Sequence, residues 1–517
     1  MKVTENSTTN GGFLNIINSK LEFFITKTIF PLLIIGIIAL LLRLSFMPNL
    51  PITFDSLSYF HYANDLIILG TLPPIQLENG WPLFTSIFFS IIQLNDVFDY
   101  MILQRILSIL ISVLTIIPIY LLCTRFFEKP YALMGTAVFV FEPHIIQNSL
   151  LGISEPLFIF LGSSTLFLFL SSEIRSMYTS FALLALGTLV RTQGIILFFI
   201  LSLIFLVYNR KNKRMLLQYL VLLGIFAIIL TPIMILRQET LGKDLLISSS
   251  VSPVTSFVTN DIGSHNRISL IFDGIDMLAR QIGKSMIPYF GIFLPFGLLL
   301  IFKERNYKNL TIIISIIIGL VTSVYILAFS KDLRYILWLY PFFVIPSVNT
   351  INYISRGLSL RNIFLIFLIL SILILSGFFL FSTDDVNLQT DALNIARYVK
   401  ENTSVINGGT IVSEYIKSLS FLEVNKFPSY SDSIVSTPKI ITIYANTVDE
   451  YIKLGKKEGL SHLVIDSNNH RTFPLDDIFY NPNKYPYLIE VFDSVDNNFK
   501  NYHVKIFRID YEKFPTG

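Results

Sequence analysis

Roughly eleven apolar stretches, each near the ~20 residues that a helix needs to cross a bilayer, run through the first three-quarters of the chain. They centre near residues 38, 112, 139, 163, 184, 200, 225, 293, 319, 343 and 372. A bilayer core offers no water to backbone N–H and C=O groups, so such stretches must pair them internally, as helices. Composition agrees: 53% of residues are hydrophobic and 15% charged, with a mean hydropathy of +0.63. A water-soluble chain of 517 residues needs far more polar surface. The expected fold class is a polytopic α-helical membrane protein of about 11 transmembrane helices. One further apolar run, Pro82 to Leu94, is short and suits a helix at the membrane interface.

Lys and Arg in short loops are retained on the cytoplasmic side and so set orientation. Arg125, Lys129, Arg175, the run 209–214, Lys303, Arg305, Lys308, Arg356 and Arg361 fall in alternate loops. The acidic loops 48–104 and 147–155 hold no Lys or Arg. This pattern implies a multi-pass protein of the cell membrane with residues 1–27 as a cytoplasmic segment. Those residues are polar and lack the apolar core of a secretory signal. Residues 28–381 form the transmembrane domain. An odd number of spans leaves 382–517 outside, where the texture becomes mixed. DALNIARYVKEN and VDEYIKLGKKEG read as helices; GTIVSEY, KIITIYA and HLVIDS read as strands; YLIEVFDS and YHVKIFRI read as a closing strand pair. The expectation is a C-terminal extracytoplasmic α/β domain.

The net charge of +3 says little about partners, and nothing points to nucleic acid. The single cysteine, Cys123, excludes a disulfide framework and a cysteine zinc site. No phosphate-binding glycine loop, His-Glu-x-x-His or nucleophile elbow is present. Ionisable groups do collect at the outer ends of spans, where they are costly unless used or paired. They are Asp55 after the first span, Glu78 before Gly80-Trp81-Pro82, Glu142 and His144 at the third span, and Glu155 opening the fourth. Arg191 lies in the turn between the fifth and sixth, and Lys331 and Arg334 open the tenth. Each has an ordinary reading. Glu155 before Pro156 favours a helix dipole, Glu142 ends a span, His144 is hydrogen-bonded, and the cations snorkel. Asp65, Asp96 and Asp99 read as solvated loop residues, and Tyr59 to Tyr62 as an interfacial helix. Together, outer acids and bases suit a carboxylate that activates a nucleophile while cations hold a phosphate.

In order and spacing over about the first 345 residues, these motifs resemble the type C (GT-C) membrane glycosyltransferases. The nearer likeness is to the dolichyl-phosphate-mannose protein mannosyltransferases and the lipid A aminoarabinose transferases. Asp55 in TFDSLSYFHYA matches the family's Asp after the first span. ENGWPL, from Glu78 to Leu83, resembles a Glu-x-Pro-Pro-Leu element. Arg105 opens the second span, Glu142-Pro143 and Glu155-Pro156 flank the third loop, Arg191 to Gly194 form the turn, and Arg334-Tyr335 precede Pro341. Two departures stand out. Gly80-Trp81-Pro82 replaces a Lys-Pro-Pro, and Asp55-Ser56 replaces an Asp-Glu. With only Trp81 and Trp338 in the chain, the Trp-Trp-Asp motif of en bloc oligosaccharide transfer is absent.

The resemblance implies transfer of a sugar from a polyprenyl-phosphate donor to an acceptor hydroxyl on protein, lipid or glycan, at the outer face and with inversion. It makes Asp55 the general base and Glu155 a second catalytic carboxylate. Arg191, Lys331 and Arg334 become donor-phosphate ligands, with Arg267 and Lys284 of the loop Arg237–Lys284 in reserve. Glu78, Glu142 and His144 become sugar or acceptor ligands. Asp55 and Glu155 are the pair for Mg²⁺ or Mn²⁺, a requirement that metal-independent members of the group leave open. The competing classes are a lipid-linked-sugar flippase, which would place charges mid-span within inverted repeats, and a non-catalytic cell-envelope assembly protein, in which Asp55 would be dispensable.

Overall fold

The computed structural model describes residues 29–47, 54–73, 77–94, 97–242, 267–285, 290–381, 384–422 and 438–514, apart from 172, 305, 331, 442, 444, 446 and 468–473. The chain divides into two compact units. One holds residues 1–45, 74–87 and 104–381; the other holds 46–73, 88–103 and 382–517.

The first unit is helical. Every apolar centre assigned to it from the sequence falls on a helix. Five helices among the described residues are long and apolar enough to cross a bilayer alone: Ile29–Phe46, Asp99–Cys123, Met215–Thr240, Tyr307–Ala328 and Arg361–Leu380. The other six centres lie on helices of 12 to 17 residues. They are shortened because the chain turns at polar or proline-bearing positions such as Glu142-Pro143 and Glu155-Pro156. Burial sorts the helices by layer. In Lys129–Val140 every residue from Tyr131 onward is buried, so this helix is enclosed by its neighbours. The Met215–Thr240 window is only 11% buried and presents Leu216, Leu220 and Ile228 outward, as a lipid-facing helix must. The loop expected from Arg237 to Lys284 is largely otherwise: Arg237 lies inside the Met215–Leu241 helix, and Arg267–Ser285 is a helix too.

The second unit is a five-stranded sheet with helices. Its strands are β1 (Val405–Asn407), β2 (Lys439–Ile441), β3 (His462–Asp466), β4 (Leu488–Asp493) and β5 (Val504–Ile509). Their order is β2-β1-β3-β5-β4. β1 is parallel to β2 and β3, whereas β5 runs antiparallel to β3 and β4. Ile452, Leu463 and Phe507 belong to one apolar cluster; Ile395, Val464 and Ile506 belong to another. Leu463 and Val464 are neighbours on β3, so the strand's alternation feeds two cores.

Four expectations in this unit need correction. GTIVSEY is not a strand; it lies mainly in the helix Ile411–Leu422. Gly409, at φ +87°, turns the chain out of β1. Thr410 and Ser413 then cap each other's backbone N–H at 3.0 Å, the reciprocal arrangement that starts a helix. Asp65 is not a solvated loop residue, because it lies 1% exposed in the helix Phe54–Leu69. On that helix Tyr59, Phe60 and Tyr62 are buried rather than interfacial. Leu57, Phe60 and Ala63 pack on Phe89, Tyr100 and Met101, and the helix also touches Ile411–Leu422. Asp99 is exposed as expected, but in the first turn of the helix Val97–Leu114 rather than in a loop; Asp96 lies outside the described residues.

Candidate functional site

Within the helical unit, the residues singled out from the sequence separate into a cluster and a remainder. Glu155 is the first residue of the Glu155–Phe169 helix, with Pro156 behind it. Arg191 ends the Ile174–Val190 helix in an extended conformation. That extension carries its guanidinium to Glu155: Nη1 donates to Oε1 at 2.6 Å and to Ser154 Oγ at 3.2 Å, while Nε donates to Gln193 Oε1 at 3.1 Å. The two side chains are 9% and 4% exposed. A carboxylate expected in catalysis and a cation expected on phosphate are thus partners in one buried ion pair.

The pair has a second layer. The Arg191 guanidinium lies 5.4 Å from the centre of the Tyr335 ring. Tyr335 sits in the 3-10 helix Leu333–Leu339, opened by Asp332, whose carboxylate accepts from the Arg334 backbone N–H at 2.9 Å and from its Nε at 2.6 Å. Glu78, Arg191, Arg334 and Asp332 all lie within electrostatic reach of the Tyr335 hydroxyl. Arg334 is 29% exposed, more than Arg191, and so is the more accessible cation. Glu155, Phe158, Arg191, Gln193, Arg334 and Trp338 line one crevice. Two of its buried polar atoms, Glu155 Oε2 and Trp338 Nε1, have no hydrogen-bond partner among the described residues. An acceptor and a donor left open in a buried crevice are costly. A ligand hydroxyl satisfies either atom.

Gly80 brings the Glu78 turn to this cluster. A Cβ at Gly80 would lie 2.6 Å from the Val190 backbone nitrogen, so only glycine lets the turn pack against the residue preceding Arg191. The next residue, Trp81, is fully buried and donates its indole N–H to Gly152 O at 3.1 Å. The departure Gly80-Trp81 therefore has a packing role.

Glu142 and His144 form a separate local pair. Glu142 Oε2 caps the short helix Pro143–Ser149 by accepting from Ile145 N–H, and Oε1 lies 2.8 Å from His144 Nδ1. Neither lines the crevice. Asp55 stands half-buried in the first turn of Phe54–Leu69 and belongs to the other unit. Lys331 lies outside the described residues, as do the side chains of Arg267 and Lys284. Among the described residues no three His, Cys, Asp or Glu side chains gather to hold a metal ion.

Several contributors escaped the sequence reading. Ser154, Gln193, Asp332 and Trp338 carry no motif of their own. Arg43, inside the first apolar stretch, is fully buried and donates to Val140 O, Ser112 Oγ and Ser149 Oγ at 3.1 Å each. Arg105, singled out only for its place in a motif, donates to Leu150 O at 2.8 Å. Gln104 joins Trp81 on Gly152 O at 2.7 Å. A charged residue in an apolar stretch was the available signal for Arg43.

A family described as "Predicted membrane protein (DUF2079)" matches residues 84–418. No curated protein matches the chain's sequence. Among solved structures, the chain is similar to the oligosaccharyltransferase AglB of Archaeoglobus fulgidus in complex with an inhibitory peptide and a dolichol-phosphate. That likeness has 12% identity, covers 85% of this chain and 69% of that one, and has a TM-score of 0.54. It is also similar to ArnT of Cupriavidus metallidurans. The apo form matches at 12% identity and the form bound to undecaprenyl phosphate at 11%, each over 94% of this chain and 99% of that one with a TM-score of 0.52. At these identities the likeness is one of fold, and the fold is GT-C.

Proposed function

Because the chain belongs to the predicted membrane protein family DUF2079 and carries the GT-C fold, we propose that it is a membrane glycosyltransferase. In this reading it moves one sugar from a polyprenyl-phosphate donor to an acceptor hydroxyl at the outer membrane face. The observation that carries the proposal is the crevice beside Glu155. The crevice is too tight for a water molecule in this structure, so a sugar enters only once its walls part; its two unmatched polar atoms then suit sugar hydroxyls, and Arg334 at its edge suits the donor phosphate. The neighbours AglB and ArnT, solved with a dolichol-phosphate and with undecaprenyl phosphate, support a lipid-linked donor.

The chemistry is a direct displacement. A carboxylate takes the proton of the acceptor hydroxyl. That oxygen attacks the anomeric carbon, the bond from this carbon to the phosphate oxygen breaks, and polyprenyl phosphate leaves with the electron pair. Asp55 is the proposed base, from its motif after the first span. Glu155 Oε2 holds a sugar hydroxyl while Arg191, bonded to Oε1, fixes the carboxylate in place. Arg334 offsets the charge that grows on the leaving phosphate. Mg²⁺ or Mn²⁺ does not fit at Glu155. The Arg191 guanidinium occupies Oε1 at 2.6 Å, and a divalent cation on the same carboxylate would face that like charge.

Purified protein supplied with polyprenyl-phosphate sugars tests the proposal. Asp55→Asn, which cannot take a proton, should lower turnover by roughly 10²–10⁴-fold. Trp338→Phe should raise the KM for donor more than it lowers kcat. Near wild-type transfer by a well-folded Asp55→Asn protein removes the base. Absence of transfer from every polyprenyl-linked sugar by the wild type refutes the activity.

A further inference from the structure

The helices that present Glu155 and Gln193 at one end carry a second polar cavity at the other. Leu170, just past the Glu155–Phe169 helix, and Tyr208, the last residue of Gly194–Tyr208, both line it. With about 1.5 Å of rise per residue, it lies about 21 Å along the helices from the ion pair. Its volume is about 400 Å³, and Arg125, Tyr208, Glu304, Tyr307, Lys308 and Asn349 are among its walls.

These walls offer donors in excess. Arg125 is held over the Phe167 ring at 4.5 Å, and its Nε is buried without a hydrogen-bond partner. Lys308 Nζ donates only to a neutral oxygen, Arg125 O, at 2.9 Å. Among the described residues neither cation makes an ion pair. The Tyr307 hydroxyl is likewise buried and unpartnered. Tyr307 also opens the 24-residue helix Tyr307–Ser330, whose positive end thereby faces the cavity. Against these stands one acid, the exposed Glu304.

The surroundings suit a lipid. Tyr208, Phe302 and Leu310 are 59%, 53% and 42% exposed. The exposed Arg210, Lys211, Lys213 and Arg214 follow Tyr208 directly, a basic cluster of the kind that gathers anionic headgroups. We propose that this cavity binds the phosphate headgroup of an anionic lipid from the leaflet opposite the Glu155 crevice. Arg125 Nε and Lys308 Nζ pair with the phosphate oxygens, and the Tyr307 hydroxyl donates to a third.

Native mass spectrometry of the full chain in detergent, titrated with dioctanoyl phosphatidic acid, tests the assignment. Arg125→Met with Lys308→Gln should raise the half-saturation concentration at least about tenfold, the scale of one lost charge-assisted contact. Tyr307→Phe keeps the ring, which lies tilted with its centre 4.1 Å from that of Tyr208, and should raise it about threefold. Glu304→Gln removes the opposing charge and should tighten binding, so the site remains testable if the double variant folds poorly. Dioctanoyl phosphatidylcholine should bind equally to all variants. Equal phosphatidic acid binding by wild type and Tyr307→Phe, with no gain in Glu304→Gln, overturns the site. Saturable binding of inorganic phosphate alone, displacing phosphatidic acid at equal concentration, overturns the lipid assignment and leaves a soluble phosphate as the occupant.

Discussion

Glu155→Gln isolates the buried ion pair with almost no change in shape. Both partners are nearly enclosed, so the variant leaves the Arg191 guanidinium buried and uncompensated. Removing one partner of such a pair costs about 3–5 kcal/mol. Ser154 Oγ and Gln193 Oε1 remain as neutral acceptors, which places the loss near the lower end, about 3 kcal/mol. Arg191→Met leaves the opposite orphan, a carboxylate in a crevice, and should cost at least as much. The double variant removes both charges and should be more stable than either single one, because no unpaired ion remains. Thermal unfolding in detergent at one fixed scan rate reads this order. Tryptophan emission reports it locally, since one of the two tryptophans, Trp338, lines the crevice and the other, Trp81, bonds to Gly152 O. Single variants within about 0.5 kcal/mol of wild type, the range of ordinary surface changes, would show that the pair is not buried in solution. A double loss equal to the sum of the singles would show that Glu155 and Arg191 do not interact.

Two further outcomes concern the second unit. Asn497→Cys, on an exposed turn, should react with an impermeant thiol reagent in intact cells if 382–517 lies outside; the native Cys123 is fully buried and stays silent, and protection until lysis overturns the orientation. Burial and the nearby Arg508 hold His462 below its usual pKa of 6.5, so its contribution to stability is present above that value and lost as pH falls through the folded one. Protection factors of β3 and β5 amides, corrected for the intrinsic exchange rate at each pH, should therefore fall as pH drops below 6.5, and less so in His462→Gln; identical protection profiles in the two proteins would clear His462 of this role.

The apolar helices were legible because a bilayer leaves the backbone no alternative to intrahelical pairing. The apolar stretches around residues 163 and 319 needed no tertiary information. GTIVSEY was misread because its Ile, Val and Tyr carry strand propensity, while its helix is decided by the Thr410–Ser413 cap and the turn at Gly409. Asp65 was misread because a charge in an acidic loop looks solvated until a neighbouring helix covers it. In the crevice, Glu155 and Arg191 could be named but not joined. Their pairing depends on an extended residue at the end of one helix reaching the first turn of another, a relation carried by no sequence spacing. Trp338 was equally out of reach, since a lone tryptophan beside Leu337 and Leu339 reads as core.

The segment from Val140 to Gly152 explains why charged residues sit inside apolar helices far from any expected chemistry. It leaves one span and enters the next through two prolines, Pro143 and Pro156, so its carbonyls cannot all be paired within a helix. Buried carbonyls need donors. Arg43 supplies one to Val140 O, Ser376 to Phe141 O, Arg105 to Leu150 O, and Gln104 and Trp81 to Gly152 O. These donors come from several separate helices, so the segment can shift only by breaking contacts to more than one of them. Glu155 follows three residues later and inherits that position, which its pairing with Arg191 then completes. Arg105 accordingly acts here as an anchor of the backbone at Leu150, five residues before Glu155. A carboxylate that must meet a sugar hydroxyl within a few tenths of an ångström needs such support, because a first turn held by proline alone would leave it free to swing.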